Sequence, residues 1–125
     1  MIYNKLGKTG LSVSRIGVGG IPIQRTTKEA TAELLEMLAE NGVNYIDTAR
    51  GYTCSEEYIG YALESRGLRN KYIIATKSFA KTCDAMAADI DISLKNLKTD
   101  YIDLYQLHNP APEAYDAVCS EDGAL

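Results

Sequence analysis

Short apolar runs alternate with longer stretches in which apolar residues return every three or four positions. Ile2–Leu6 and Leu11–Ser14 flank the turn signal Gly7-Lys8-Thr9-Gly10 and predict a β-hairpin. Arg15–Gly20 is a short run ending in glycines and predicts a first internal strand. Thr26, with Glu29 three residues on, has the capping-box pattern. It predicts a helix in which Ala30, Leu34 and Leu38 recur, with Leu35 and Met37 beside them, closed by Asn41-Gly42. Val43–Thr48 is the next strand. Ser55 is placed as the cap of a second helix, with Glu56 and Glu57 in the first turn, where acids suit the helix dipole. Ile59 and Leu63 carry its apolar stripe and Arg66-Gly67 ends it.

Tyr72–Lys77 is nearly continuous in apolar character, as in a parallel strand covered on both faces. A third helix is predicted over Cys83–Leu97, with Met86, Ile90, Leu94 and Leu97 on one side, and a last strand over Tyr101–His108. Asn109-Pro110-Ala111-Pro112 breaks the pattern. Glu113–Val118 reads as a short helical piece, and Glu121–Leu125 as the first turn of another helix. A hairpin followed by βαβαβαβ implies a parallel sheet with right-handed crossovers.

Two architectures accommodate that order, an open doubly wound sheet and a (β/α)8 barrel. Asp47, Lys77 and His108, the polar residues at three strand ends, follow one another at intervals of 30 and 31 residues. That is close to the roughly 31 residues of one unit in a barrel of about 250. No GxGxxG opens the first helix, since Gly17, Gly19 and Gly20 lead into Ile21-Pro22, which is not a phosphate-cradling turn. The expected class is α/β: the N-terminal half of a (β/α)8 barrel preceded by a β-hairpin. Residues 1–125 are expected to form one partial barrel, a hairpin plus four βα units, the last incomplete.

Composition narrows the functional classes. Hydrophobic residues make up 46% and charged residues 24%, as in ordinary globular proteins. The net charge of −4 argues against a nucleic-acid surface, which needs a basic face. No apolar run approaches membrane-spanning length, and Met1–Gly10 has no apolar leader core, so a cytoplasmic location and no membrane partner are expected. Cys54, Cys83 and Cys119 are far apart, form no CxxC, and are odd in number, which fits a reducing compartment. No metal site is expected from them or from His108, the single histidine.

In a parallel barrel, active sites lie at the C-terminal ends of the strands. Asp47, Lys77 and His108 stand at or beside such ends, and Tyr52 follows in the loop after the second internal strand. A tyrosine hydroxyl is ordinarily too weak an acid for proton exchange at pH 7. A neighbouring lysine ammonium favours the phenolate, an aspartate holds that lysine charged and oriented, and a neutral histidine can donate a hydrogen bond to a carbonyl. Such a set suits a reaction that turns a carbonyl into an alkoxide. Hydride would have to come from a nicotinamide cofactor, because no side chain supplies it.

At this point the residues resemble the N-terminal half of the aldo-keto reductases. The matching stretches are Leu6-Gly7-Lys8-Thr9-Gly10-Leu11, Ile46-Asp47-Thr48-Ala49, Ser55-Glu56-Glu57 with Ile59-Gly60, Ala75-Thr76-Lys77, and Asp100 to His108. The resemblance implies a catalytic tetrad of Asp47, Tyr52, Lys77 and His108, with Tyr52 as general acid and NADPH as hydride donor. It implies a small carbonyl substrate, an aldehyde or ketone, and places Gly19, Gly20 and Asp47 near NADP(H). Thr53 stands where the family usually has glycine. Gly19–Arg25 and His108-Asn109 look like the subgroup with a C-terminal ferredoxin-like iron–sulfur segment. That cluster would lie outside these residues, because the three cysteines do not form its motif.

The family barrel has eight strands, whereas four are legible here. Most of the NADPH-binding loops of the family belong to the other half. An open half-barrel would expose two sheet edges and its inner face, which invites self-association. The expected protein is therefore an oxidoreductase of this ancestry whose 125 residues do not turn over by themselves. The competing readings are a cofactor-binding regulatory subunit and a truncated chain that is inactive on its own.

Overall fold

A computed structural model describes all 125 residues. Strands β1 (Tyr3–Lys5) and β2 (Ser12–Ser14) pair antiparallel, with Asn4 opposite Val13. Their turn needs left-handed backbone at Gly7 (φ 54°) and Gly10 (φ 80°), which glycine adopts without a Cβ penalty. Asn44 ties this hairpin to the rest of the fold. Its Oδ1 accepts from the Ser14 N–H (2.7 Å), and its Nδ2 donates to the Ser12 carbonyl (3.0 Å).

Four further strands, β3 (Val18–Gly19), β4 (Tyr45–Asp47), β5 (Ile73–Ser78) and β6 (Leu104–Leu107), form one parallel sheet in chain order. Helices α1 (Lys28–Glu40), α2 (Ser55–Ser65) and α3 (Cys83–Leu97) make the crossovers. A short helix, α4 (Tyr115–Val118), follows β6. A doubly wound sheet reverses its strand order at a switch point. This sheet does not reverse, so the architecture is the N-terminal portion of a (β/α)8 barrel, with the hairpin in front.

The core lies between the sheet and the helices. Val18, Ile46 and Ile74 are register neighbours and face one way. They meet Leu35 of α1, Ile59 and Leu63 of α2, and Leu97 of α3, all buried. At Gly60 the packing becomes backbone to backbone, because a Cβ there would stand 2.0 Å from the Asn96 carbonyl oxygen. The inner face is less covered: Tyr45, Asp47, Ile73, Lys77 and Gln106 are all half-buried. The edges at β3 and β6 have no further strand beside them.

Four local expectations need correction. The cap of α1 is Thr27, whose side chain accepts from the Ala30 N–H (3.1 Å). Pro22–Arg25 forms a 3₁₀ turn whose last hydrogen bond takes the Thr26 N–H, so the helix starts one residue later than the Thr26–Glu29 pattern implies. The buried stripe of α1 is Thr31, Ala32 and Leu35, while Ala30, Leu34 and Met37 are exposed. A polar Thr31 can sit in the core because its hydroxyl donates to the Thr27 carbonyl (2.8 Å).

Helix α2 is capped by Cys54 without a side-chain bond, and Ser55 lies inside the helix with its hydroxyl 2.9 Å from that of Thr48. Finally, Glu121–Leu125 starts no helix. The Cys83 N–H donates to the Asp122 carbonyl (3.1 Å), Gly123 bridges to Thr82, and the Leu125 N–H returns to Val118 (3.0 Å). The helix ends fare better: Gly42 (φ 81°) and Gly67 (φ 62°) close α1 and α2 in paired-bond caps, with Val43 N–H to Leu38 and Leu68 N–H to Leu63.

Candidate active site

Each predicted residue reaches the same rim by a different route. Asp47 is the last residue of β4, Lys77 the next to last of β5, and His108 follows β6 directly. Parallel pairing sets their heights, with Asp47 opposite Ala75 and Lys77 opposite Gln106. The His108 N–H extends the ladder to the Ser78 carbonyl (2.7 Å). Tyr52 sits in the loop after β4, where its N–H donates to Ala49 (3.0 Å) and its carbonyl accepts from the Ser55 N–H (2.8 Å).

Lys77 joins the group. Its Nζ donates to Asp47 Oδ1 (2.5 Å) and to the Thr48 carbonyl (2.7 Å), and lies 5.3 Å from the centre of the Tyr52 ring. The Lys77 side chain is 14% exposed and that of Asp47 39%, so the pair is shielded mainly on the lysine side. Tyr52 meets His108 edge to face, with ring centres 5.5 Å apart, and Phe79 stacks flat on His108 at 4.0 Å. All four predicted catalytic residues are thus in one cluster. Burial first, and the Lys77 ammonium second, hold the His108 imidazole below its usual pKa, against an opposing pull from Asp47. It is neutral at pH 7. Its Nδ1 is buried without a protein partner.

Thr53 and Gly20 show how tightly the rim is drawn. Thr53 has φ 35°, in the left-handed region that costs a β-branched residue on the order of 1–3 kcal/mol. Its hydroxyl donates to Gln24 Oε1 (2.9 Å), which ties the Tyr52 loop to the turn after β3. At Gly20 a Cβ would stand 2.7 Å from Thr48 Oγ1 and 2.8 Å from Ser55 Oγ, so that glycine has a packing cause of its own. Gly19, by contrast, opens onto free space.

A second polar group lies behind the rim, between the sheet and the helices, and sequence patterns did not disclose it. Glu56, expected only as an acid of a first turn, is 1% exposed. Its Oε1 accepts from Thr76 Oγ1 (2.7 Å) and Ser93 Oγ (2.8 Å), and its Oε2 from Asn96 Nδ2 (3.2 Å). Arg50 lies between Glu56 (3.8 Å) and Asp89 (3.5 Å), and Ser78 donates to Asp89. Burial raises the Tyr105 pKa within this group. The only sequence signal was the alternation Thr76, Lys77, Ser78 at the end of an otherwise apolar strand. Phe79 was also missed. With Leu107, His108, Pro110 and Val118 it lines a cavity of about 140 Å³ beside the imidazole.

No three His, Cys, Asp or Glu side chains gather as a metal site, and no helix is long and apolar enough to cross a membrane. A family profile described as the aldo/keto reductase family matches residues 15–122. The aldo-keto reductase YhdN of Bacillus subtilis strain 168 is 36% identical over 129 residues, covering 90% of this chain and 39% of its own length. A putative aldo-keto reductase of Pseudomonas aeruginosa superposes with a TM-score of 0.83 at 30% identity, covering 95% of this chain and 51% of that one. An aldo-keto reductase of Klebsiella pneumoniae, solved in complex with NADPH, superposes at 0.76 with 28% identity, covering 94% and 45%. The chain therefore spans about two fifths of the length of the curated relatives it matches.

Proposed function

The chain belongs to the aldo/keto reductase family, and from that premise we propose that its rim supplies the proton-donating side of a site that reduces an aldehyde or ketone to an alcohol. The observation that carries this reading is the position of Lys77, bonded to Asp47 at 2.5 Å and 5.3 Å from the Tyr52 ring. In this reading Tyr52 is the general acid and passes its O–H proton to the carbonyl oxygen. The Lys77 ammonium stabilises the phenolate left behind. Asp47 keeps Lys77 charged and aimed. His108, neutral at pH 7, offers a hydrogen bond that orients the carbonyl.

The residues present fit the carbonyl-facing end of NADP(H): Asp47 and Lys77 stand at the rim and Gly19 opens onto free space. Two cations near the rim are already paired, Lys77 with Asp47 and Arg50 with Glu56 and Asp89. Bound NADPH supplies the hydride, which no side chain can. Gly19, Gly20 and Asp47 as cofactor-contacting residues are part of this proposal. So are residues 1–125 as one partial-barrel unit, and the likeness of Gly19–Arg25 to the iron–sulfur subgroup, whose cluster would lie outside these residues. The uncovered edges at Val18–Gly19 and Leu104–Leu107 support self-association of the chain, checked by light scattering.

The test joins residues 1–125 to the C-terminal half of the Bacillus subtilis relative and follows NADPH oxidation with a panel of aldehydes. Turnover is expected, and Tyr52→Phe should lower kcat by about 10²–10⁴-fold. Turnover indifferent to Tyr52→Phe would remove Tyr52 from the acid role. The 125-residue chain alone is expected to give no turnover and weak or absent NADPH binding. A tight stoichiometric complex in fluorescence titration would overturn that expectation.

A further inference from the structure

In sequence Arg50 lies between the two conspicuous rim residues, Asp47 and Tyr52, and it bonds to neither. Its backbone N–H donates to the Lys77 carbonyl (2.9 Å). Its guanidinium points away from the rim and stands between Glu56 of α2 (Nη1 to Oε2, 3.8 Å) and Asp89 of α3 (Nε to Oδ1, 3.5 Å). Nε is buried and has no hydrogen bond, so the attraction there is mainly electrostatic, in a layer where hydrocarbon would be usual. The two acids are themselves held by the residues on either side of Lys77. Thr76 donates to Glu56, and Ser78 donates to Asp89. Strand alternation turns 76 and 78 toward the helices and 77 toward the rim.

We infer that Arg50 is a positioning residue: gripped by Glu56 and Asp89, it holds the loop that carries Tyr52 against the strand that carries Lys77. Its value for catalysis rests on the proposed role of Tyr52, but the clamp itself is a matter of geometry. A methionine at 50 would leave the buried Glu56 carboxylate and the partly exposed Asp89 carboxylate without the cation between them, and helices α2 and α3 would lose their shared link to the loop. A lysine would keep the charge, yet its single ammonium lacks the planar fork that stands between both acids at once.

His108 is the only histidine, so its imidazole protons report on the rim without ambiguity. The experiment is proton NMR of the 125-residue chain, reading cross-relaxation between the Tyr52 ring and the His108 imidazole, whose centres lie 5.5 Å apart. Arg50→Met and Arg50→Lys are both expected to weaken or abolish those cross-peaks and to move both sets of ring resonances. Arg69→Lys, at the far end of the sheet, should lower Tm while leaving the cross-peaks in place. Unchanged Tyr52–His108 cross-peaks in Arg50→Met, or an equal loss in Arg69→Lys, would overturn the inference. If Arg50→Met does not fold, Glu56→Gln and Asp89→Asn decide in its place by the same cross-peaks. No turnover is measured, so failure of the carbonyl-reducing reading and failure of the clamp give separate results.

Discussion

The two ends of one parallel sheet are built to opposite specifications. At the N-terminal end, Arg69 donates to Thr99 Oγ1 (2.9 Å), to the Tyr72 carbonyl (2.7 Å), to the Tyr101 carbonyl (3.1 Å) and to Asp103 Oδ2 (2.7 Å), and its guanidinium lies 3.7 Å from the centre of the Tyr101 ring. The same Asp103 oxygen accepts the Ile74 N–H (2.9 Å), so one ion pair also secures the start of β5. At the C-terminal end, His108 Nδ1 and Arg50 Nε lie buried without hydrogen bonds. Thr53 and Asn109 hold left-handed backbone there, at φ 35° and 47°, while Lys98, at φ 52°, closes α3 at the opposite end. Satisfied polar groups hold a structure together. Unsatisfied groups and strained backbone raise its energy and persist only where neighbouring structure enforces them. The difference puts the denser side-chain bonding at one end and the candidate site at the other, the end at which barrel active sites lie.

The comparison breaks most readily at Arg69. Replacing it with methionine removes four hydrogen bonds and leaves Asp103, only 18% exposed, without its counter-ion. A loss of about 3 kcal/mol in urea-monitored stability is expected, with the Tyr52–His108 geometry intact. A loss below about 1 kcal/mol would mean that the N-terminal end does not carry the fold in the way its bonding implies.

Alkali tests the same end more gently. Tyr72, just before β5, is buried, and that burial pushes its hydroxyl up to about 12 from the ordinary 10.0. The unfolded chain releases this proton near pH 10 while the folded chain retains it, so stability is full below pH 10 and falls from 10 to 12. The expected loss from this group is on the order of 2 kcal/mol by pH 12. Tyr72→Phe should flatten that part of the pH–stability curve, and an unaltered slope would show that Tyr72 is not the group responsible.

The smallest effect is expected at the strained end. Thr53→Gly relieves the left-handed backbone but gives up the bond to Gln24 and adds unfolded-state freedom. The exchange should be neutral within about 0.5 kcal/mol, whereas loosening a regular segment with glycine costs about 0.5–1 kcal/mol. A full loss of that size in chemical denaturation would mean that the Gln24 bond outweighs the strain.

Much of this was legible in the residue order, and the failures were local. The alternation of strands and helices, the approximate span of α3, and the convergence of Asp47, Lys77 and His108 at one rim all follow from periodicity and spacing, because parallel crossovers return each strand end to the same side. Thr53 stood out in the family pattern, and its positive φ supplies a physical reason for glycine at that position. The start of α1 was misplaced by one residue because a 3₁₀ turn, which has no strong sequence mark, used Thr26 first.

Sequence by itself determined the class of fold, the order of its strands and the chemical kinds of residue at the rim. These depend on local periodicity and chain length, which one dimension records. Only the tertiary structure decided that Glu56 is buried, that Thr31 and not Leu34 faces the core, and that Arg50 stands between two acids from different helices. The reason is physical: a polar side chain enters a core only if partners distant in sequence satisfy it, and those partners are fixed by packing.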